Sequence, residues 1–230
     1  MNKTKIDWCT HTVNPVIGCT FNCQYCYARK MNDRFCWIPN FNEPKFFPKR
    51  LEQLYSKKPK VIFMNSISDI ADWDYSWSTQ VEIAIRCNAQ HKYLFLTKRP
   101  ETVSEAGMFI LQTNVWNGTT INWESDVSRF NHLPAFGNRF ASIEPIFEDL
   151  KLVEKHNLFF KFLNWVIIGA ETGNRKEKVI PRREWIENIT KPCKEYGIPV
   201  FMKSSLRELM GEDFIQELPK GFEDIISLKG

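Results

Sequence analysis

The stretch Tyr93-Leu94-Phe95-Leu96-Thr97-Lys98-Arg99-Pro100-Glu101 decides the fold. Its first five residues are apolar, aromatic or β-branched, the composition of a buried strand. Pro100 stands where a helix tolerates proline best, since the first helical N–H has no partner in any case. A segment with helical periodicity follows from Glu101 to Leu111, and a second strand-like run spans Val115 to Ile121. Strand, polar turn, helix and strand make a βαβ unit, whose two strands lie parallel.

The same rhythm extends in both directions. Strand-like runs recur at Val13 to Ile17, Val61 to Asn65, Arg139 to Ile143, Trp165 to Ile168 and Pro199 to Met202. Helical periodicity fits Ser78 to Gln90, Glu124 to Leu133 and Arg183 to Tyr196, the last closed by Gly197. Eight such units need about 250 residues. The chain has 230, so the expected fold is α/β, an incomplete (βα)6–7 TIM-like barrel over residues 1–205. Residues 206–230 lack the rhythm and are expected to form a short C-terminal cap or lid.

Composition bounds the function. The chain is 43% hydrophobic with a net charge of +4, ordinary for a globular domain and too mild to announce a nucleic-acid binder. Lys3, Lys5, Asp7 and His11 interrupt the N-terminal residues, which rules against a signal peptide. No run reaches the ~18–20 apolar residues of a membrane span. A cytoplasmic protein without a membrane partner is expected.

In a parallel barrel the chemistry gathers at the C-terminal strand ends. The first strand runs into Gly18-Cys19-Thr20-Phe21-Asn22-Cys23-Gln24-Tyr25-Cys26-Tyr27. The others end in Asn65-Ser66-Ile67-Ser68-Asp69, Thr97-Lys98-Arg99, Gly118-Thr119-Thr120, Ser142-Ile143-Glu144-Pro145, Gly169-Ala170-Glu171 and Lys203-Ser204-Ser205. Taken singly, Ser68 or Asp69 reads as a helix cap and Lys98 as a residue reaching water. Cys19, Cys23 and Cys26 are three soft donors on one loop, enough for three irons of a [4Fe–4S] cluster. Zinc is the competing reading: Cys23 and Cys26 form one knuckle, with Cys9, His11, Cys19 or Cys36 to complete it. A second paired knuckle is missing from the chain. Seven cysteines in 230 residues argue against a disulfide framework.

These motifs resemble the cluster loop of the radical S-adenosylmethionine superfamily, including the aromatic residue, Tyr25, before the last cysteine. Across Ile6 to about Gly211 the chain resembles a phage-associated three-cysteine-motif family of unknown function within that superfamily. The likeness passes through Asn14-Pro15, Cys23 to Ala28, Asn65-Ser66, Ser68-Asp69, Leu96 to Pro100, Asn114-Val115-Trp116, Glu144-Pro145 and Trp165 to Gly169. It is distantly similar to spore photoproduct lyase, sharing Tyr27, the Ser68-Asp69 pair and the Thr97-Lys98 pair. The hydrogen-donating cysteine of that enzyme falls here at Ser66, so the cofactor site transfers and the repair chemistry does not.

The resemblance implies reductive cleavage of S-adenosylmethionine at a [4Fe–4S] cluster, and a 5′-deoxyadenosyl radical that abstracts hydrogen from a substrate. Flavodoxin or ferredoxin is the implied reductant. Tyr25, Tyr27, Ser66, Ser68, Asp69, Thr97 and Lys98 are the implied cofactor contacts. Among them, Lys98 takes the methionyl carboxylate, and Ser68 and Asp69 the amine or ribose. Glu144 and Glu171 are then free for substrate, unless they cap helices or form internal ion pairs. Three readings stay open: a radical enzyme acting on a nucleobase or nucleic acid, one acting on a peptide or small metabolite, and a non-catalytic metal-binding interaction protein, with a partner protein conceivable for each. Lys45, Lys49, Arg50, Arg175, Lys176 and Arg182 are candidate flanking cations, and Trp73, Trp77 and Trp116 candidate stacking platforms.

Overall fold

A computed structural model describes residues 2–156, 158–173 and 175–226, and there the strand–helix rhythm becomes one main sheet of eight strands. Asn2–Lys3 pairs antiparallel at one edge, and the other seven strands run parallel. These are β1 (His11–Thr12), β2 (Val61–Phe63), β3 (Lys92–Thr97), β4 (Val115–Thr120), β5 (Asn138–Ile143), β6 (Trp165–Ile168) and β7 (Val200–Met202). They lie side by side in chain order, with Tyr93 opposite Val115 and Phe140 opposite Trp165. A doubly wound sheet reverses its order at a switch point. This sheet has no reversal, so right-handed crossovers place their helices on one face.

Alternation along each strand divides the core between the two faces. On the outer face Ile62, Tyr93, Phe95 and Val115 pack with Val81 and Ile85 of the helix Tyr75–Arg86. Farther along the sheet, Ala141, Ile143, Val166 and Ile168 pack with Ile186 and Ile189 of the helix Arg183–Glu195. On the inner face Val61, Phe63, Leu94, Trp116, Phe140, Trp165, Ile167 and Phe201 form a separate cluster. Trp165 is its centre, edge-on to Trp8 at 6.2 Å and to Trp116 at 6.1 Å. Burying side chains of this kind contributes about 1.5–3 kcal/mol each. Trp73 and Trp116 are therefore core residues and cannot serve as the stacking platforms expected of them. Trp77 stacks on Phe46 at 5.6 Å.

Element boundaries depart from expectation for local reasons. The first strand stops before Pro15, which has no N–H for the ladder. Val13 still donates to the Phe63 carbonyl at 3.1 Å, but Val16–Ile17 turns aside to pair with Lys45–Phe46. The helix expected from Ser78 starts at Tyr75, because Asp74 caps it by accepting from the Ser76 amide at 2.8 Å. Glu124–His132 is a 3-10 helix, with the Asp126 carboxylate taking the amides of Asn122 and Trp123. Residues 215–217 run back along the outer sheet edge. Met202 donates to Ile215 and Glu217 to Val200, at 2.9 and 2.8 Å, and Phe222 packs under Trp116 and Trp165. Among the described residues, no helix is long and apolar enough to cross a membrane.

Candidate functional site

The strand ends converge on a cavity of about 470 Å³, within the range of small-molecule sites. Asn65 and Ser66 reach it from β2, Thr97 and Lys98 from β3, Thr120 from β4, Ser142 and Glu144 from β5, Glu171 from β6, and Lys203 from β7. Cys19, Cys23, Tyr25, Cys26 and Tyr27 close one side.

The cysteine loop is held tightly at its entry. Gly18 sits at φ +111°, and a Cβ there would lie 2.9 Å from both the Phe41 carbonyl oxygen and Pro44 Cα. That carbonyl accepts the Cys19 amide at 2.8 Å. The Asp72 carboxylate accepts both the Thr20 amide and hydroxyl, at 2.9 and 2.6 Å, and pairs with Arg99 at 2.7 Å. Arg29 donates to the Cys19 carbonyl at 3.1 Å. Cys26 caps the helix Tyr27–Phe35 through its sulfur, which accepts the Arg29 amide at 3.4 Å. Sequence reasoning missed this helix, and with it the roles of Arg29, Asp72 and Arg99.

Burial, with the Asp69 carboxylate adding to it, pushes the Cys19 thiol up to about 12. Burial also raises Cys23, against the pull of the Lys98 ammonium. The three thiols border one cavity, yet among the described residues no group of three His, Cys, Asp or Glu side chains is placed to hold a single metal ion. Tetrahedral zinc with thiolate bonds of about 2.3 Å draws its donors to within about 3.8 Å of one another. A cluster gives each thiolate its own iron and takes them farther apart. Three soft sulfur donors on one loop, all bordering one cavity, are chemically suited to an iron–sulfur cluster.

Lys98 is partly buried and belongs to a triangle: its ammonium donates to Tyr25 Oη and to Asn122 Oδ1, both at 2.8 Å, while Tyr25 Oη donates to Asn122 Oδ1 at 2.6 Å. Burial lowers the Lys98 pKa, with Cys23 opposing, and burial raises that of Tyr25. Asn122 is held in turn by donating to the Pro145 carbonyl at 2.7 Å. Sequence reasoning missed Asn122 too. Its only signal was a polar residue between Ile121 and Trp123, just past the expected end of β4.

Asp69 is buried and committed to its own neighbourhood. It accepts from the Ala71 amide at 3.0 Å, Thr97 Oγ1 at 2.6 Å and the Lys98 amide at 2.9 Å. Burial nonetheless raises its pKa. Ser68 Oγ accepts from Trp73 Nε1 at 3.2 Å, and Ser66 donates to Asn14 Oδ1 at 3.0 Å. Tyr27 donates to the Ser66 carbonyl. Neither candidate substrate carboxylate is free: Glu144 is paired with Lys203, and Glu171 receives both Nε and Nη2 of Arg175, at 2.6 and 2.7 Å. Arg175 holds the Glu171 carboxyl below the usual range.

No curated protein matches the chain by sequence. A family model does, over residues 3–210, and so spans the whole parallel sheet and its cysteine loop. The chain therefore belongs to the family described as protein of unknown function (DUF5131).

Proposed function

We propose that this protein is a cytoplasmic radical S-adenosylmethionine enzyme and that its open sheet is an incomplete TIM-like barrel. One observation carries the reading: three cysteines of a single loop and the partly buried Lys98 border one cavity at the C-terminal strand ends. Cys19, Cys23 and Cys26 would hold three irons of a [4Fe–4S] cluster, and no other cysteine among the described residues lines the cavity to take the fourth. When bound, the cluster and S-adenosylmethionine supply reductive S–C5′ cleavage and a 5′-deoxyadenosyl radical, with a flavodoxin or ferredoxin as electron source.

The chain's own residues bind and orient. Lys98 uses two of its three N–H groups on Tyr25 and Asn122, which leaves one for the methionyl carboxylate. Asp69 sets the Lys98 backbone and the Thr97 hydroxyl and acts as a brace. Ser68 accepts from Trp73 and retains its hydroxyl proton for an amine-free oxygen of the cofactor, such as a ribose hydroxyl. Trp8, Phe63 and Leu96 keep the inner wall apolar and limit water. Because burial raises the Cys19 and Cys23 thiols, cluster binding must release their protons.

The test is anaerobic reconstitution with iron and sulfide, followed by reduction and assay for 5′-deoxyadenosine. Absorbance near roughly 400 nm is expected of a thiolate-ligated cluster. Alanine at Cys19, Cys23 or Cys26 should abolish it, whereas serine at the exposed Cys36 or Cys87 should not. Stoichiometric zinc without iron, or iron-loaded protein that forms no 5′-deoxyadenosine, refutes the reading.

A further inference from the structure

A second cavity of about 900 Å³ opens beside the first. It lies at the seam of the open sheet, since Thr12 of β1 and Lys203 just after β7 both border it. Ile6, Tyr27, Ser66, Ile67 and Lys203 line both cavities, so the two adjoin. Its charge is one-sided. Lys5, Arg50 and Lys203 line it, and among the described residues no carboxylate does. Arg50 is anchored by donating to the Asn14 carbonyl at 2.8 Å, and Lys203 by Glu144 on the far side. Two aromatic rings face the same space: Tyr27, which is 52% exposed, and Trp37, which stacks on Phe35 at 6.0 Å.

We propose that this groove binds single-stranded nucleic acid and presents a base to the first cavity. Cations without carboxylates suit phosphates, and aromatic faces beside them suit unstacked bases. An acidic peptide is the less favoured occupant. Extended peptides commonly bind by adding to a sheet edge, and here the edge beyond β7 is covered by the segment around Gln216. A duplex keeps its bases stacked away from Tyr27 and Trp37. The fate of the base rests on the function proposed above; the binding does not.

Lys203 is neutralised by Glu144, so two phosphates, at Lys5 and Arg50, give a salt slope near −1.4 on a single strand, and affinity should fall roughly sevenfold between 50 and 200 mM salt. The experiment is fluorescence anisotropy of the full-length protein, with and without reconstitution. The probes are a labelled oligothymidylate, a duplex of equal length and a polyglutamate peptide. The single strand should bind tightest. Lys5→Glu and Arg50→Gln should each reduce the slope by about 0.7, the share of one phosphate. Trp37→Ala should weaken binding about fivefold or more, as loss of a stacked base does. Lys58→Glu, an exposed charge change outside the groove, should leave binding unchanged. No binding at low salt, equal loss in Lys58→Glu, or tighter binding of polyglutamate overturns the proposal. Binding that fails while 5′-deoxyadenosine still forms refutes the groove alone. Binding that persists without 5′-deoxyadenosine refutes only the cofactor reading.

Discussion

Gly18→Ala tests whether the cysteine loop is held by backbone contact. The new Cβ would meet the Phe41 carbonyl oxygen and Pro44 Cα at 2.9 Å, and neither can rotate away as a side-chain tip could. The φ of +111° adds strain of about 1–3 kcal/mol. Overpacking against backbone adds about 1–3 kcal/mol more. The displaced carbonyl is the acceptor of the Cys19 amide, a bond contributing about 1 kcal/mol. The sum is roughly 3–7 kcal/mol, set against a total stability of roughly 5–15 kcal/mol. With a urea slope near 3 kcal/mol/M, the unfolding midpoint should drop by about 1–2 M. Gly107→Ala is the control. Gly107 also has positive φ, at +63°, but nothing lies within 4 Å of its Cβ, so this variant should lose only about 1–2 kcal/mol. Urea unfolding of the metal-free, reduced protein separates the two. If Gly18→Ala shifts the midpoint no more than Gly107→Ala, the contact with Phe41 and Pro44 does not hold the loop.

Two further outcomes follow from charges at the site. Lys98→Ala should weaken S-adenosylmethionine binding by about 1.5–3 kcal/mol, the range for a hydrogen bond to a charged group, as read by calorimetry on reconstituted protein; unchanged affinity, or loss of the cluster, contradicts the assignment. Burial disfavours ionised Asp72, but its bonds from Arg99 and Thr20 outweigh that and hold its pKa below the ordinary 3.8. Its folded value being depressed, the anchorage is complete above about pH 4 and is lost as pH falls through the lower folded-state value. The Thr20 amide resonance should follow that loss, and Asp72→Asn should remove the dependence; a resonance that stays still on acidification refutes the anchor.

The parallel sheet was legible because a βαβ unit writes itself in local terms, as Tyr93 to Pro100 does with a buried run, a turn and a helix-opening proline. What local pattern could not give was the destination of polar strand-end residues. For Asp69, Glu144 and Glu171 the sequence leaves ligand, cap and ion pair open, and it does not show which of Thr97, Lys203 and Arg175 each one meets. Glu171 pairs with Arg175, four residues on in the sequence. Asn122 stayed hidden for the converse reason, since its work is done by contacts to Tyr25 and Lys98, distant in the chain. A large ring near a strand end serves the inner core as readily as a ligand, and Trp116 took the core.

The commitment of these carboxylates bears on what the first cavity can hold. A carboxylate taken from water is tolerated when hydrogen bonds or a cation replace its hydration. Asp69 has three such bonds, Glu144 has Lys203 and Glu171 has Arg175, so each acid at the cavity wall is satisfied within the protein. Among the groups with unused capacity are the third N–H of Lys98, the Ser68 hydroxyl proton and the thiols. Such a wall offers a donor to an anion and no acid to a cation. A zwitterionic amino acid would find its carboxylate partner in Lys98, and its amine would find none among these carboxylates. Under the proposed function that vacancy is consistent, because a cluster held by three thiolates keeps one iron open, and a neutral amine is a good ligand for it. Adding an acid should then be harmful. Ser68→Asp would place a second carboxylate beside Asp69, and like charges so close raise the pKa of both. S-adenosylmethionine affinity should fall in that variant, measured by calorimetry on reconstituted protein. If affinity rises instead, the amine was waiting for a carboxylate, and the assignment of the amine to the iron is wrong.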